Sequence, residues 1–563
     1  MDRRDLLTDL IIKGMVIKGR SDLKAMHNNS RNARKKNEKL LFSILKKNKN
    51  TEFGRKYHFA DIKSVEDYRR MVPMTNYSDY EDYVRRMIDN NEENLITALE
   101  VVGYAQSSGS VGSRKFIPLT MEDVRIYMRY TVTRMMALAD EYYRRNGQGG
   151  LKPGRGIFTD PGYRDYLPNG LPCTNVADVP AKQLSAIYPY ILVTPFNRMF
   201  TPDDVDYRYV NLRFGLQDRK MMYIFAVFFK DVSDYFLYLK NNWESLVADI
   251  ETGTIGELAK CSPETEKDLL TVIKPDPERA AELRAEFEKG FDETIIKRIW
   301  PNMQVIGAIG TSTFEPFTKL ARQNTEGIIF DYSIYGASEG LFAAVDEPEI
   351  KRQLLLVDSC YYEFIPVEDE EKILPLDELE VGREYEIVIT NQAGLYRYRC
   401  GDVIKVLGYL NECPYVVFSY RKGQLLNLTG EKTTEVHMRE VVNAIEKKAG
   451  CTITHWAVYN CTDDHPYHYV LLLENEEGMD LRPYSEFAHE TLRDVNIRYD
   501  HFFSIRRMAA LQIENQKPGT NKAWMDKKVK EGVSPAQVKP VRIIDTPEKE
   551  DFFIGRNSEA GNR

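Results

Sequence analysis

At 563 residues the chain is longer than one hydrophobic core ordinarily serves, so a large composite domain and at least one smaller one are expected. Hydrophobic residues at 43% and charged residues at 29% fit a folded soluble protein, and the net charge of −8 sets no general preference for nucleic acid. Seven cysteines with no tight framework fit reduced thiols, as in a cytoplasmic protein.

In the N-terminal "MDRRDLLTDLIIKGMVIKGR" charges interrupt the apolar residues every few positions, so neither a signal-peptide core nor a membrane-inserted span is expected there. The first hundred or so residues read as mainly helical, with "NARKKNEKLLFSILKKNKN" carrying apolar residues at helical spacing. After a short apolar run comes "SSGSVGSRK", Ser107 to Lys115, which packs four hydroxyls, two glycines and two cations into nine residues. Glycines admit a ligand close to the backbone, and hydroxyls, N–H groups and a lysine all suit an anion. Arg114 stands where a Walker loop needs the glycine before its lysine, so this is not a P-loop. Thr120 is a predicted N-cap for "MEDVRIYMRY", which places the glycine–serine segment between a strand and a helix.

Further helices follow through "WESLVADIETGTIGELAK" and "DPERAAELRAEFEKGF", then the apolar strands "QVIGAIGTST" and "EGIIFDYSIYG". The short β-branched and aromatic runs "YYEFIPV", "REYEIVIT", "LYRYRCGDVIKVLGYL" and "YVVFSYRKGQ" predict a meander or small barrel. The character changes after Arg421 to Gln424, a predicted hinge. The expected organisation is therefore a large domain over 1–420, an α+β domain over 425–547 and a disordered polar tail over 548–563.

Three motifs carry candidate chemistry. In "YGASEG", Gly336, Ser338 and Gly340 match the G-x-S-x-G elbow of serine hydrolases, and Asp402 with His437, His455, His465 or His468 would complete a triad. In "LYRYRCGDVIKV", strand alternation would put Tyr396, Tyr398 and Cys400 on one face, and Asp402 at the strand end could accept both hydroxyls of a ribose. Cys451, His455, Cys461, His465 and His468 resemble a zinc site only loosely; alternation and the Asp463–Pro466 turn favour a hairpin.

Taken in order, "SSGSVGSRK", "YGASEG" and "YRYRCGD" resemble the three nucleotide motifs of adenylate-forming enzymes, the superfamily of acyl-CoA synthetases and firefly luciferase. Within it the chain resembles the GH3 family of acyl acid amido synthetases, known from plants and also present in bacteria, and is read as the bacterial type. The likeness extends through "NTEFGRKYHF", "VPMTNYSDYEDYV", "GREYEIVITNQAGLYRYRCGD", "FSYRKGQ" and "GEKTTE", from about residue 40 to 545.

The resemblance implies an α/β fold of two domains, the larger with β-sheets and a small barrel flanked by helices. It implies that Ser107, Ser108, Gly109, Ser110 and Lys115 hold the β- and γ-phosphates of ATP. Tyr335 and Gly336 would lie by the adenine, Ser338 near the α-phosphate and the acyl carboxylate, and Glu339 on Mg²⁺; Asp402 and Arg421 would take the ribose. Lys432 and Lys539 would be the catalytic cations, with Lys522 and Lys527 as competitors for the second, because Pro540 follows Lys539 sooner than the family pattern has it. Val111 replaces a usual hydroxyl residue. Thr311, Ser312, Phe314 and the helix after Thr120 would line the acyl site. The implied reaction joins a small-molecule carboxylic acid to an amino acid or other amine, with coenzyme A as the competing acceptor.

Overall fold

The computed structural model describes residues 3–108, 114–159, 165–174, 186–195, 205–310, 315–422, 424–463, 465–475, 477–530 and 540–555. The chain divides into two compact units, most of the smaller one beginning at Arg421.

In the larger unit the N-terminal helix Arg3–Ser30 buries Ile12, Val16, Leu23 and Met26 at a three- to seven-residue spacing. It lies along Val132–Arg145 closely enough that a Cβ on Gly19 would fall 2.1 Å from the Thr133 carbonyl oxygen. The strands Arg155–Phe158, Met221–Phe228, Val305–Ile309 and Ile329–Asp331 form a parallel sheet in that order. Runs such as "MMYIFAVF" lack polar alternation because both faces of such a sheet are covered. Arg134, fully buried, forks onto both oxygens of Asp331 at 2.9 and 2.7 Å and ties the helix Val132–Arg145 to this sheet.

"EGIIFDYSIYG", read as one strand, is two. Ile329–Asp331 ends the parallel sheet, Ser333 turns the chain with a left-handed φ of +57°, and Ile334–Ala337 enters a different sheet. That second sheet has seven strands, in the order Tyr361–Pro366, Glu384–Thr390, Tyr398–Leu410, Cys413–Arg421, Gln353–Leu355, Gly340–Ala344, Ile334–Ala337. It is the antiparallel meander expected; among the described residues its two edge strands do not pair with one another. Phe342, Phe364, Ile387 and Ile389 join Leu41, Ile44 and Phe53 from the N-terminal helical region in one core.

The glycine–serine segment does not connect a strand to a helix. It connects two strands, Val101–Ser108 and Arg114–Thr120, of a third sheet that also holds Pro172–Thr174 and Asp165–Tyr166. Ile117 and Leu119, two residues apart, enter the core, so the chain stays extended until Thr120 and Asp123 cap the next helix, Met121–Tyr130.

The smaller unit is α+β. Ile453–Cys461 and His468–Asn475 form the hairpin preferred over a zinc site, with Cys461 opposite His468, and Gln512–Asn515 adds a parallel strand. The tail differs from expectation over 548–554: Pro547–Ile554 is a helix capped by Thr546, and Phe553 is buried with Trp524 and Val541. Three consecutive apolar residues, Phe552 to Ile554, outweigh the polar composition around them. Residues 556–563 lie outside the described residues. Among those described, no helix is long and apolar enough to cross a membrane.

Candidate functional site

Ala337 pairs with Gly340, so Ser338 and Glu339 are the two turn residues of a β-hairpin. A hydrolase elbow needs a strand, a sharp turn and then a helix. Here a second strand follows, and the Ser338 hydrolase reading falls on that geometry.

The turn opens on a pocket whose wall includes Asp123, Ile126 and Tyr127 of the helix Met121–Tyr130, with Ser338, Glu339, Ser359 and Asn391. Asp123 caps its own helix, one carboxylate oxygen accepting the Thr120 N–H at 2.8 Å and the Thr120 hydroxyl at 2.7 Å. Burial raises its pKa. Glu339 is 4% exposed, and its buried Oε2 has no hydrogen-bond partner among the described residues. A buried carboxylate oxygen left so is costly unless a cation meets it. Mg²⁺ takes one or two carboxylates and draws its remaining ligands from phosphates and water, so a single oxygen of this kind fits it. Two further bonds hold the hairpin. Asn391 Nδ2 donates to the Glu339 carbonyl at 2.8 Å, and the Ser359 hydroxyl donates to the Leu341 carbonyl.

Tyr335, on the first strand of the hairpin, donates its hydroxyl to Asp402 Oδ2 at 2.9 Å, and both are buried. The tyrosine ring packs on Phe342 and Phe418, with centroids 5.2 and 5.6 Å away. Asp402 is not at a strand end. It lies within Tyr398–Leu410, just after Gly401, whose φ of +81° accommodates a shift of register against Glu384–Thr390. The alternation expected from Tyr396 also fails, because Arg397 has a left-handed φ of +45° and the strand begins after it. Arg397 instead forms a buried ion pair with Glu363 at 2.9 Å.

Ser107 and Ser108 end the strand Val101–Ser108, and Lys115 lies on Arg114–Thr120 with its ammonium 5.5 Å from the centre of the Tyr77 ring. Arg421 ends the strand Cys413–Arg421. Gly109, Ser110, Val111, Thr311, Ser312, Phe314 and Lys539 lie outside the described residues. Lys522 and Lys527 are on the helix Thr520–Lys530, and Lys527 pairs with Glu548 at 2.9 Å.

In the smaller unit Lys432 sits at a left-handed φ of +49° beside Glu431, which is fully buried. The Glu431 carboxylate accepts the N–H groups of Leu428 and Thr429 at 2.5 and 2.6 Å, the Thr429 hydroxyl at 2.9 Å and the Tyr469 hydroxyl. Asn496 Nδ2 donates to the Glu431 carbonyl at 3.3 Å and to the Thr433 hydroxyl at 3.0 Å. Sequence reasoning passed over Glu431, Asn391 and Ser359. The one available signal was that Glu431 and Asn391 stand within the quoted "GEKTTE" and "TNQAGLYRYRCGD".

Models of the GH3 family match almost end to end: its N-terminal domain over 22–329, its central domain over 353–421 and its C-terminal domain over 436–548. The chain belongs to the GH3 family. This GH3 chain is 27% identical to the probable indole-3-acetic acid-amido synthetase GH3.1 of Arabidopsis thaliana, covering 92% of this chain and 90% of that protein. It is 28% identical to the indole-3-acetic acid-amido synthetase GH3.8 of Oryza sativa subsp. indica, covering 91% and 88%. The solved GH3.15 acyl acid amido synthetase shares its fold, with a TM-score of 0.62, 24% identity and 95% of each chain covered. The same holds for the AtGH3.15 structure in complex with 2,4-DB, at a TM-score of 0.63, 22% identity and coverage of 95% and 96%.

Proposed function

We propose that this GH3 chain is an ATP-dependent acyl acid amido synthetase. A carboxylic acid attacks the α-phosphorus of ATP to give an acyl-adenylate and pyrophosphate; an amine, in our reading an amino acid, then attacks the activated carbonyl to give an amide and AMP. The observation that carries the reading is the buried, unpartnered Glu339 oxygen beside Ser338 in the pocket.

Bringing a carboxylate to a triphosphate sets anion against anion, so the chain must supply positive charge and fixed donors. Mg²⁺, held by Glu339, would neutralise phosphate charge when bound. Ser338 would orient the acyl carboxylate, Ser107, Ser108 and Lys115 would hold the outer phosphates, and Asp402 with Arg421 the ribose. Tyr335, already bonded to Asp402, would fix that carboxylate while its ring stacks toward the base. Lys432, and Lys539 late in the chain, would place a further cation on the transferring group. Ile126, Tyr127 and Leu341 give the pocket an apolar wall.

All seven cysteines are free thiols, which fits a reducing, cytoplasmic setting, and the bacterial type is kept as part of the proposal. The test is pyrophosphate exchange into ATP across a panel of carboxylic acids, with Asp402→Ala and Lys432→Ala as controls. Exchange with one acid class, weakened in both variants, followed by AMP release that needs an amine rather than coenzyme A, is expected. ATP binding with no exchange for any acid would overturn the reading.

A further inference from the structure

We propose that Asn391 is a positioning residue for Glu339, setting the carboxylate that meets the cation; the inference rests on the nucleotide reading above. Asn391 is 2% exposed and stands just after the strand Glu384–Thr390. Its own side of the contact is rigid. The backbone N–H donates to the Leu395 carbonyl at 2.9 Å, and Oδ1 accepts the Leu395 N–H at 2.9 Å. Gly394 closes this loop at a φ of +105°, against the Ile96 carbonyl oxygen, 2.7 Å from where a Cβ would stand.

The free end of the amide, Nδ2, crosses 52 residues of sequence to the Glu339 carbonyl at 2.8 Å. Both partners dictate the orientation of the amide, since a carbonyl requires the N–H end and an N–H requires the oxygen. Glu339 differs from Asn391 in kind. Among the described residues its Oε2 has no hydrogen bond, and it sits in a two-residue turn, so the side chain takes its position from the backbone that carries it. The Asn391 bond fixes that backbone at the residue that needs fixing. The Ser359 bond to Leu341 restrains the other strand of the hairpin, two residues further on.

Asn391→Asp keeps the size of the residue and the acceptor for Leu395 but turns a carboxylate oxygen toward the Glu339 carbonyl. The test is a titration of the full-length protein with Mn²⁺, read by electron paramagnetic resonance, in the presence of a non-hydrolysable ATP analogue. The expected result is a half-saturating Mn²⁺ concentration raised roughly tenfold or more, the usual scale for an outer-shell partner of a metal ligand. Binding of the analogue without metal should be unchanged. In a Glu339→Ala background, Asn391→Asp should cause no further loss of analogue affinity in the presence of Mn²⁺.

An unchanged half-saturation, or an equal loss in both backgrounds, overturns the proposal while leaving the metal role of Glu339 intact. Mn²⁺ binding that is absent from the wild type, or indifferent to Glu339→Gln, overturns that metal role and the proposal with it. Should Asn391→Asp not fold, Asn391→Ser removes the same bond without adding a charge and is read against the same outcomes.

Discussion

Two buried glutamates, Glu339 in the larger unit and Glu431 in the smaller, stand in tight polar turns of similar composition, yet their carboxylates are treated in opposite ways. Glu431 accepts four hydrogen bonds and has no capacity that the protein itself leaves unused. Glu339 keeps one oxygen without a partner among the described residues and has its local support on the backbone, through Asn391. A saturated carboxylate holds a loop in shape, and here it holds the loop that presents Lys432. An unsaturated one, in the proposed reading, is where a cation would meet the chain. Residue type and burial are the same, and only the partners distinguish scaffold from site.

The largest effect should come from Glu431→Ala, which strands buried donors at Leu428, Thr429 and Tyr469. At about 1–3 kcal/mol for each unsatisfied group, several kcal/mol of stability should be lost, seen as a lower urea midpoint for the smaller unit. Glu339→Gln should do the reverse. Pyrophosphate exchange should fall about 100-fold or more, as expected for a group that acts on developing charge, while the urea midpoint stays or rises because an unpaired buried carboxylate has been removed. If Glu339→Gln instead unfolds the protein, the contrast between the two glutamates collapses.

Tyr469→Phe sharpens the comparison, since it removes one of the four Glu431 bonds and leaves the rest. A cost of about 1–2 kcal/mol is expected, with a loss of exchange that does not add to that of Lys432→Ala. The smallest effect is a pH dependence away from both turns. The hydrogen bond to Asp346, at 3.2 Å, raises the His27 pKa against the effect of burial. Burial alone would raise the Asp346 pKa, but His27 and Tyr415 hold it down. A raised histidine stabilises fully below its ordinary value of 6.5 and less as the pH climbs through its folded pKa, and a lowered aspartate stabilises above its ordinary 3.8. His27→Ala should therefore cost most between those limits and little at alkaline pH. Because His27 is half exposed, the loss should be about 0.5 kcal/mol or less by thermal melts across pH.

Much of the architecture was legible without coordinates. Helical spacing marks Ala33–Asn48, the alternation and turn residues mark the hairpin of Ile453–Cys461 and His468–Asn475, and the apolar runs mark the buried parallel strands. The errors cluster where one residue changes the direction of the chain. Ser333 splits one apolar run between two sheets, Arg397 breaks an alternation, and Gly401 puts a shift of register beside Asp402. Each has a positive φ, which neither spacing nor composition announces when the residue is serine or arginine. Phe553 adds the opposite lesson, since a short apolar cluster in polar surroundings found Trp524 to pack on.

By itself the sequence determined most of the helices and strands, apart from Arg114–Thr120, the split at Ser333 and the helix Pro547–Ile554, and, through its three motifs, the family. Those properties depend on period and on residues close along the chain. Only the tertiary structure decided that Ser338 and Glu339 form a hairpin turn rather than an elbow, that Asn391 reaches Glu339, and that Tyr335 meets Asp402, 67 residues away. Whether a buried polar atom is satisfied depends on partners brought together by long-range packing, and that is the property separating Glu339 from Glu431.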